Sequence, residues 1–262
     1  MKIALCYNSK MENTHTILEK LKTALTERNV SFETLEMDNL KSDYDIALVI
    51  GGDGTILRAA RFYSEFEIPV FGINLGRLGF LSQSGQNEIG NTISRLLSGN
   101  YIVERRLMLK ANGYNALNDF VIKGASSGRI SRFALEINEK FVCEYYADGI
   151  IISTPTGSTA YGMAAGGPIL APNLEIIEIV PICAHTFSAR PIVVSGNDKI
   201  KIIPCENCEY NVYADGQIVF PMKGELIVSK SEKNACLGLL PSNDFYSILR
   251  NKLQWGISPA KG

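Results

Sequence analysis

The sequence lacks the features that mark membrane, secreted and nucleic-acid-binding proteins. No apolar run reaches the roughly 18 residues that span a bilayer, and the start, MKIALCYNSK, has too few apolar residues for a signal peptide. The 262 residues carry 26 basic and 27 acidic side chains, with no run of five like charges. The basic surface typical of nucleic-acid binding is therefore absent. We expect a cytoplasmic globular protein with neither a membrane nor a nucleic acid as partner.

Cysteines are too few for a disulfide scaffold and are not spaced as in a zinc module. Six cysteines in a chain of this length, without a secretory signal, are typical of reduced thiols in the cytosol. Cys205 and Cys208 have the spacing of half a zinc site, but no second pair follows at a matching distance. We interpret Cys205–Cys208 as a hairpin turn, and no metal site built from protein side chains is predicted.

In residues 1–99, short apolar strands alternate with stretches of helical periodicity. Lys2–Tyr7, Asp45–Ile50 and Pro69–Ile73 have the composition of buried strands. Apolar residues recur at helical spacing over Ile17–Leu25 and Ile89–Leu97. Continuous apolar strands separated by helices imply a parallel sheet covered on both faces. The pattern predicts an α/β domain of the open, doubly wound, Rossmann-like type.

From about residue 100 the pattern changes to short alternating segments joined by turns. Phe133–Asn138 and Phe141–Tyr146 are examples, and such closely spaced strands favour an all-β, sandwich-like domain over residues 100–239. Apolar residues then return to helical spacing over Phe245–Leu253. We expect this closing helix to return to the first domain, so that residues 240–262 complete it.

The strongest local signal is Gly51-Gly52-Asp53-Gly54-Thr55, between an apolar strand and a helix. A glycine-rich turn at the carboxyl end of a parallel strand brings backbone N–H groups against an oxyanion, and the next helix adds its positive end. A carboxylate in such a cradle repels phosphate, so Asp53 points to a metal contact or to a proton acceptor for a sugar hydroxyl. The alternative is that Asp53 simply caps the helix.

Two further loops contain residues suited to ligand binding. Asn74–Leu81 follows a predicted parallel strand and contains two glycines three residues apart, which allow close backbone approach. Five hydroxyl-bearing residues lie within Ser153–Thr159, a few residues after Asp148-Gly149. These hydroxyls are suited to binding a ribose or a phosphate, and Tyr161 is placed to stack on a ring. The alternative interpretation is a well-capped helix, in which the hydroxyls satisfy backbone groups.

Several of these motifs together resemble the NAD kinase family. GGDGT, NLGRLGFL, LND at Leu117–Asp119, DGIIISTPTGSTAY, GGP and PICAHTFSARPIVV occur here in the family's order. GGDGT alone is shared with diacylglycerol and sphingosine kinases, whereas TPTGSTAY with NLGRLGFL is far more particular to NAD kinases. The resemblance covers nearly the whole chain. It implies transfer of a phosphoryl group from ATP or polyphosphate, with Mg²⁺ or another divalent cation, to the 2′-hydroxyl of the adenosine ribose of NAD, giving NADP.

The resemblance also implies roles for particular residues. Asp53 matches the family's proton acceptor, Asp53 with Gly54 its NAD contact, and Arg58 a basic position that faces phosphate. The other implied substrate contacts are Asn118, Asp119, Arg129, Asp148, Thr159, Ala160, Tyr161, Gly162, Met163, Ala164, Cys183 and Gln217. The β-rich domain over residues 100–239 is thus the expected NAD-binding domain. The family further implies a homodimer or homotetramer.

Two other functions are compatible with the same motifs. A lipid kinase shares GGDGT but needs an apolar entry for acyl chains. A dinucleotide sensor without catalytic activity has the same fold, although an intact Asp53 argues against it.

Overall fold

The computed structural model describes residues 1–76, 79–85, 88–125, 130–204, 209–241 and 244–255. The chain divides into two units. The first unit comprises Met1–Arg105 and the chain from Ala235 onward, and the second unit comprises Arg106–Asn234. These boundaries lie a few residues from residues 99 and 239, where the sequence places them. Among the described residues, no helix is long and apolar enough to cross a membrane.

Parallel strands alternate with helices in the first unit, as predicted. Its elements up to residue 100 are β1 (Lys2–Tyr7), α1 (Thr14–Thr26), β2 (Ser31–Glu36), β3 (Ile46–Ile50), α2 (Asp53–Ser64), β4 (Val70–Ile73), β5 (Ser82–Ser84) and α3 (Ile89–Leu97). Strands β4, β3, β1 and β2 lie side by side in that order, all parallel. The strand order reverses between β1 and β3, and their carboxyl ends there form the kind of crevice in which open α/β sheets bind ligands.

Helices cover both faces of this parallel sheet. Leu5 of β1 packs in one apolar cluster with Ile17 of α1 and Ile93 of α3. Cys6 points to the opposite face, because successive side chains of a strand alternate, and its Sγ lies 3.3 Å from Tyr63 Oη of α2. Since α1 and α3 lie on one face and α2 on the other, the doubly wound prediction is confirmed.

The second unit is built from antiparallel strands. The elements from residue 102 onward are β6 (Ile102–Ala111), β7 (Tyr114–Ala116), β8 (Asp119–Gly124), β9 (Ser131–Ile137), β10 (Lys140–Ala147), β11 (Gly149–Ser153), a 3₁₀ turn (Gly157–Thr159), α4 (Tyr161–Ala164), β12 (Ile176–Ile182), β13 (Ile192–Ser195), β14 (Ile200–Pro204), β15 (Tyr210–Ala214), β16 (Ile218–Met222) and β17 (Leu226–Leu239). Six of them form one sheet in the order β13, β12, β11, β8, β15, β16. A second group follows the order β10, β9, β14 and the start of β17.

The two groups of strands enclose the core of the second unit. Phe120 and Ile152 of the six-stranded sheet share one apolar cluster with Phe133 and Ile202 of the other group, so the predicted sandwich is confirmed. The opposite face of the six-stranded sheet, here called the outer face, carries Val121, Ile151 and Val180, with Ala165 packed against them. The loop after β11 therefore lies on the outer face.

The last helix among the described residues is the predicted one, α5 (Phe245–Leu253). Asp244 caps it, because its carboxylate accepts hydrogen bonds from the backbone N–H groups of Tyr246 and Ser247, both at 3.0 Å. Ile248 and Leu249 are buried. The helix belongs to the first unit, which confirms the expected return of the chain.

Candidate functional site

Asp53 lies where the strand order of the first unit reverses, directly after β3. It is the first residue of α2, and the cap position before it is Gly52, which has no side chain. The alternative that Asp53 caps the helix is therefore wrong. Its Oδ2 instead accepts a hydrogen bond from Phe80 N–H at 2.9 Å, and its Oδ1 accepts one from Leu81 N–H at 3.2 Å.

The second predicted glycine loop, Asn74–Leu81, is held by hydrogen bonds to the same carboxylate. A Cβ on Gly79 would overlap the carboxylate of Asp53, so glycine is needed there for this close approach. Gly79 N–H donates to Ser82 Oγ at 2.7 Å, and Asn74 Nδ2 donates to the same oxygen at 3.2 Å. The two predicted loops thus meet at Asp53, although Arg77 and Leu78 lie outside the described residues.

This geometry leaves Asp53 able to act on a ligand. A carboxylate has about four lone-pair sites, and the loop N–H groups use two of them. The side chain is half-buried rather than enclosed. Asp53 is thus a fixed carboxylate, oriented by backbone donors, whose remaining lone pairs can accept a proton or a hydrogen bond from a bound hydroxyl.

The two neighbouring positions of α2 that the sequence predicted are both exposed. Gly54 follows Asp53 in the first turn, where a helix has its positive end. Arg58 lies one turn further, and its Nη2 donates to Asp38 Oδ1 at 2.8 Å. This hydrogen bond, with the guanidinium charge, lowers the pKa of Asp38. An exposed pair of this kind is weak, so Arg58 can exchange Asp38 for a phosphate.

In the second unit, the predicted pair Asn118–Asp119 is held by a residue that the sequence analysis missed. The carboxylate of Asp215 accepts hydrogen bonds from the backbone N–H groups of Leu117, Asn118 and Asp119, at 3.0, 2.7 and 3.2 Å. Asp215 itself is left-handed, with φ 51°, and Gly216 follows with φ 64°. An Asp-Gly pair between two strands is the usual sign of such a hairpin turn, so this signal was present in the sequence.

Asp119 starts a row of polar residues that crosses the outer face. Strand register places Asp119 beside Ser153 of β11, and Ser153 beside Glu178 of β12. Asp119 is buried, and this burial, followed by the nearby charge of Asp215, raises its pKa to about 7. Glu178 is fully buried, and burial raises its pKa to about 7 as well. Ser153 is one of the hydroxyl-bearing residues that the sequence marked for ligand binding, whereas Glu178 was not predicted as part of the site.

The threonine-rich loop after β11 uses most of its hydroxyls within the protein. Thr154 Oγ1 donates to Leu117 O at 2.6 Å and accepts from Gly157 N–H at 3.1 Å. Ser158 Oγ donates to Pro155 O at 2.7 Å and accepts from Leu170 N–H at 2.9 Å. These buried hydroxyls satisfy backbone groups, as in the alternative interpretation. The expected helix, however, is only a 3₁₀ turn followed by the four residues of α4.

The residues most accessible to a ligand come after that loop. Thr159 and Ala160 are half-buried, and Tyr161 and Ala164 are exposed, whereas Gly162 is buried beneath them. Lys123 of β8 donates from Nζ to Tyr161 Oη at 2.8 Å and lies 4.8 Å from the ring centroid. This contact fixes the orientation of the tyrosine ring.

Asp148 and Cys183 lie together at the other end of β11 and β12. Asp148 N–H donates to Ile182 O at 3.0 Å, and both Asp148 and Cys183 are exposed. His185 Nε2 lies 3.9 Å from Asp148 Oδ1. Cys183 has a φ of 47°, which is uncommon for a residue other than glycine.

The predicted contacts of the second unit thus fall at two ends of its six-stranded sheet. Asn118 and Asp119 lie at one end and Asp148 and Cys183 at the other, with α4 on the outer face. The four residue steps of β11 from Gly149 to Ser153 correspond to about 13 Å at ~3.3 Å per residue. This span suits an extended ligand with several polar groups. Exposed Gln217 lies after the Asp215 turn, near Asp119.

Three residues that the sequence analysis singled out lie beyond the described residues. Arg129 and the pair Cys205 and Cys208 fall outside the residues that the structure describes. Within the described ranges, no three His, Cys, Asp or Glu side chains converge in a way that would hold a metal ion.

Comparison with known proteins gives matches in both units. Residues 2–101 match the family model described as the ATP-NAD kinase N-terminal domain, and residues 117–237 match the ATP-NAD kinase C-terminal domain. The chain is 42% identical over 225 residues to an NAD kinase of Thermoanaerobacter sp., covering 81% of this chain and 79% of the relative. It is 35% identical to an NAD kinase of Clostridium botulinum, covering 99% of each.

Solved structures give the same result. An NAD kinase from Archaeoglobus fulgidus in complex with ATP matches with a TM-score of 0.83 and 29% identity, over 97% of this chain and 99% of that one. A yeast NADH kinase complexed with NADH has a TM-score of 0.84 at 22% identity, covering 100% of this chain and 90% of that one. This second likeness shows the fold alone.

Proposed function

The chain belongs to the NAD kinase family, and from that premise we propose how its residues carry out the reaction. The protein is an enzyme that phosphorylates NAD, at the 2′-hydroxyl of the adenosine ribose, to give NADP. Lipid kinase activity is not favoured, because both family models and the relatives named above are NAD kinases.

We propose that Asp53 accepts the proton of the ribose hydroxyl. The observation that carries this role is its fixed, half-buried carboxylate, which two loop N–H groups orient while other lone pairs remain available. A carboxylate is a far weaker base than an alkoxide, so Asp53 cannot remove the proton in advance. In a loose phosphoryl-transfer transition state it need only orient the hydroxyl and take the proton late.

The phosphoryl donor in this proposal is ATP. Support comes from the Archaeoglobus fulgidus relative, whose structure holds ATP. The positive end of α2 at Gly54 and the guanidinium of Arg58 would bind phosphate oxygens. Polyphosphate offers the same phosphate chemistry and is the alternative donor.

A divalent cation, Mg²⁺ in the first instance, would accompany the triphosphate and neutralise charge on its oxygens. The described residues hold no group of three ligating side chains, so the proposal has the ion bound mainly through the triphosphate. Mg²⁺ usually keeps several waters and is held largely by substrate phosphates rather than by a protein cage. The chain's own contribution is then to place the triphosphate through backbone N–H groups and Arg58.

NAD is proposed to bind through the second unit. The contacts are those predicted from the sequence: Asn118, Asp119, Arg129, Asp148, Thr159, Ala160, Tyr161, Gly162, Met163, Ala164, Cys183 and Gln217. Support for most of them is their placement along one sheet, over a length that suits a dinucleotide. Asn and Asp side chains offer acceptors at fixed geometry for ribose hydroxyls and purine edges.

A cytoplasmic homodimer or homotetramer is proposed as the working form. The four described cysteines are free thiols, which is typical of a reducing compartment. Phe141 and Phe187 of the second unit are exposed apolar side chains, Phe187 completely so, and exposed aromatic surface is typical of contacts between copies.

The test is NADP production by the purified protein. ATP and polyphosphate are supplied separately, each with and without Mg²⁺, and diacylglycerol replaces NAD in a parallel reaction. We expect NADP only from NAD with ATP and Mg²⁺. If NADP formed with polyphosphate and not with ATP, the proposed donor would be wrong. Undiminished activity without a divalent cation would overturn the Mg²⁺ proposal. The Asp53→Asn protein serves as the blank.

A further inference from the structure

Glu178 is a buried carboxyl to which the reaction assigns no role. It is one of the outward-facing residues of β12, and the apolar Val180 and Ile182 follow it on the same face. Its side chain is fully buried, and neither carboxyl oxygen has a hydrogen-bond partner among the described residues. Burial of an unpaired carboxylate is costly, so a carboxyl at this position requires an explanation.

The carboxyl of Glu178 lies directly beneath the turn that follows α4. A Cβ on Gly167 would overlap Oε1 of Glu178, and a Cβ on Gly162 would lie 3.3 Å from Oε2. Gly167 N–H donates to Gly162 O at 2.9 Å and closes the turn. The side chain of Glu178 therefore fills the space that two glycines leave open, and residues 161–167 wrap over it.

The residues above this carboxyl are proposed NAD contacts, namely Tyr161 through Ala164. We propose that Glu178 is a positioning residue for NAD, which supports the turn of residues 161–167 from beneath as a neutral, protonated carboxyl. This inference rests on the proposed function of the turn. Glu178 has no solvent-exposed surface, so it acts through the turn and not by touching NAD.

Ionisation of Glu178 should loosen the turn. Burial raises the pKa of this carboxyl to about 7 and is the only cause of the shift. From the neighbouring strands, uncharged Ser153 of β11 and Val193 of β13 face it in register. Above pH 7 a negative charge lies under Gly162 and Gly167, and within the described part of the chain no hydrogen-bond donor compensates it.

Other titratable groups on the outer face have to be separated from this effect. Asp119 lies two strands away in the same row, next to Asp215, and its pKa is also raised to about 7. Its effect on binding has the opposite sign, because an ionised Asp119 is the better acceptor for a ribose hydroxyl. Lys123 and Tyr161 bond to each other over the same face. Replacing Glu178 alone isolates its contribution.

The experiment compares wild type with Glu178→Gln, which keeps the shape and stays neutral at every pH. If NAD binds only when Glu178 is protonated, the ratio of wild-type KM to variant KM rises with pH, to about tenfold one unit above the pKa. We expect a ratio near one at pH 6, about tenfold at pH 8, and kcat within about twofold. Glu175→Gln, an exposed glutamate beside the same strand, is the matched control.

Two further measurements keep the inference open to refutation. Protection factors of the amides in the turn of residues 161–167, which correct for the intrinsic rise of exchange with pH, should fall between pH 6 and pH 8 in wild type and not in Glu178→Gln. The methyl group added by Gly167→Ala would push the carboxyl of Glu178 aside, so this variant should raise the KM for NAD at both pH values. Gly90→Ala, where a Cβ meets nothing within 4 Å, should leave the KM unchanged. If Gly167→Ala fails to fold, exchange in the turn of Glu178→Gln still decides.

Each outcome has a distinct meaning. A KM ratio that stays constant with pH, or identical exchange in the two proteins, would overturn the positioning role. Failure of the proposed function has a different signature, since wild type would then neither bind NAD in calorimetry nor form NADP at any pH.

Discussion

Asp53 in the first unit and Asp215 in the second both accept hydrogen bonds from backbone N–H groups, but the two carboxylates differ in exposure. Each carboxylate accepts successive loop N–H groups, two for Asp53 and three for Asp215. Asp53 remains half-buried, whereas Asp215 is only 8% exposed. The comparison shows that the same residue type holds a loop in both units, and that of the two carboxylates Asp53 is the more accessible to a ligand.

Glu178 extends the comparison to a carboxyl without any donor. The carboxylate of Asp215 accepts hydrogen bonds from three backbone N–H groups. Glu178 has no partner among the described residues, so its neutral form is favoured and its pKa is raised to about 7. In our proposals, the second unit uses acidic residues to organise backbone, and the first unit uses one for chemistry.

The largest expected effect is that of Asp53→Asn in the first unit. Removal of the proton acceptor should lower kcat by about 10²–10⁴-fold, the usual range for a general base. Asparagine has only one acceptor oxygen, so one of the bonds from Phe80 and Leu81 is also lost. Steady-state kinetics with NAD and ATP, together with a melting curve, measure both consequences.

Asp43→Asn is the matched control for that substitution. Asp43 is exposed and pairs with Lys2 at 2.7 Å, so the same chemical change there should leave kcat unaltered. If a folded Asp53→Asn protein had a turnover close to that of wild type, Asp53 would not be the proton acceptor. Its only role would then be to hold the loop of Phe80 and Leu81.

The sequence predicted the first unit better than the second because its signals are local. Gly51-Gly52 between an apolar strand and a helix is a contiguous pattern, and it correctly marks the position of Asp53. Phe80 and Leu81, which donate to Asp53, lie in a second contiguous loop that the sequence also marked, although the contact itself was not predicted. Edge strand β2 (Ser31–Glu36) was not predicted, because it has only one buried residue and charged residues interrupt it.

The missing features of the second unit depend on strand register. Glu178 reads as one polar residue in an apolar strand, and only the pairing of β12 with β11 places it under Gly162 and Gly167. Asp215 was similarly distant from Asn118 in sequence, although the Asp-Gly turn signal was present. A register that joins distant segments has no single-sequence signature. The predicted helix after this loop is longer than the four residues of α4. The hydroxyls of Thr154 and Ser158 form hydrogen bonds with backbone groups instead of starting a helix.

The next largest effect is a loss of stability with rising pH, caused by the buried carboxyls of the second unit. Asp119 and Glu178 have folded pKa values of about 7, above their usual 3.8 and 4.5. Between these values the native state binds more protons than the unfolded state, so the free energy of unfolding falls as pH rises and levels off above pH 7. Each carboxyl contributes about two pH units of this slope between pH 5 and pH 8, so we expect a decrease on the order of 5 kcal/mol for the pair, at about 1.4 kcal/mol per unit.

Urea unfolding at a series of pH values measures this decrease. Carboxyls whose pKa is lowered, such as Glu144 beside Arg132, have completed their titration below this window and do not obscure it. Glu178→Gln should remove part of the slope, whereas Glu175→Gln should retain all of it. Equal stability of wild type at pH 5 and pH 8 would show that the buried carboxyls of the second unit are not held neutral.

A smaller effect is expected for Asp148→Ala, which tests whether an exposed carboxylate of the second unit only binds substrate. Loss of a hydrogen bond to a charged group costs about 1.5–3 kcal/mol, so the KM for NAD should rise roughly 10- to 100-fold. The kcat should stay within a few-fold, because the proposal gives Asp148 no part in proton transfer. The measurement is a kinetic titration of NAD at saturating ATP.

Asp148→Asn and His185→Ala are the controls for Asp148→Ala. The first keeps the size of the side chain, and the second removes the imidazole that lies 3.9 Å away. If kcat collapsed while NAD affinity stayed intact, Asp148 of the second unit would take part in the chemical step. The proposed contrast between a catalytic first unit and a binding second unit would then be wrong.

The smallest effect is expected for Asn118→Ala, because Asp215 and Thr154 hold Asn118 by its backbone. Its N–H donates to Asp215 Oδ1 at 2.7 Å, and its carbonyl accepts from Thr154 N–H at 2.8 Å. Truncation therefore leaves the loop in place and removes only neutral hydrogen bonds to NAD, worth about 0.5–1.5 kcal/mol.

Calorimetric titration of NAD into Asn118→Ala should give a two- to tenfold weaker affinity, by the usual conversion of about 1.4 kcal/mol per factor of ten. Asn91→Ala, at an exposed position of α3, is the control, and circular dichroism checks the fold. Asp215→Ala should weaken NAD binding more than Asn118→Ala, because it releases three backbone N–H groups at once. The reverse order would mean that the side chain of Asn118, and not the backbone that Asp215 holds, sets the geometry of the dinucleotide site.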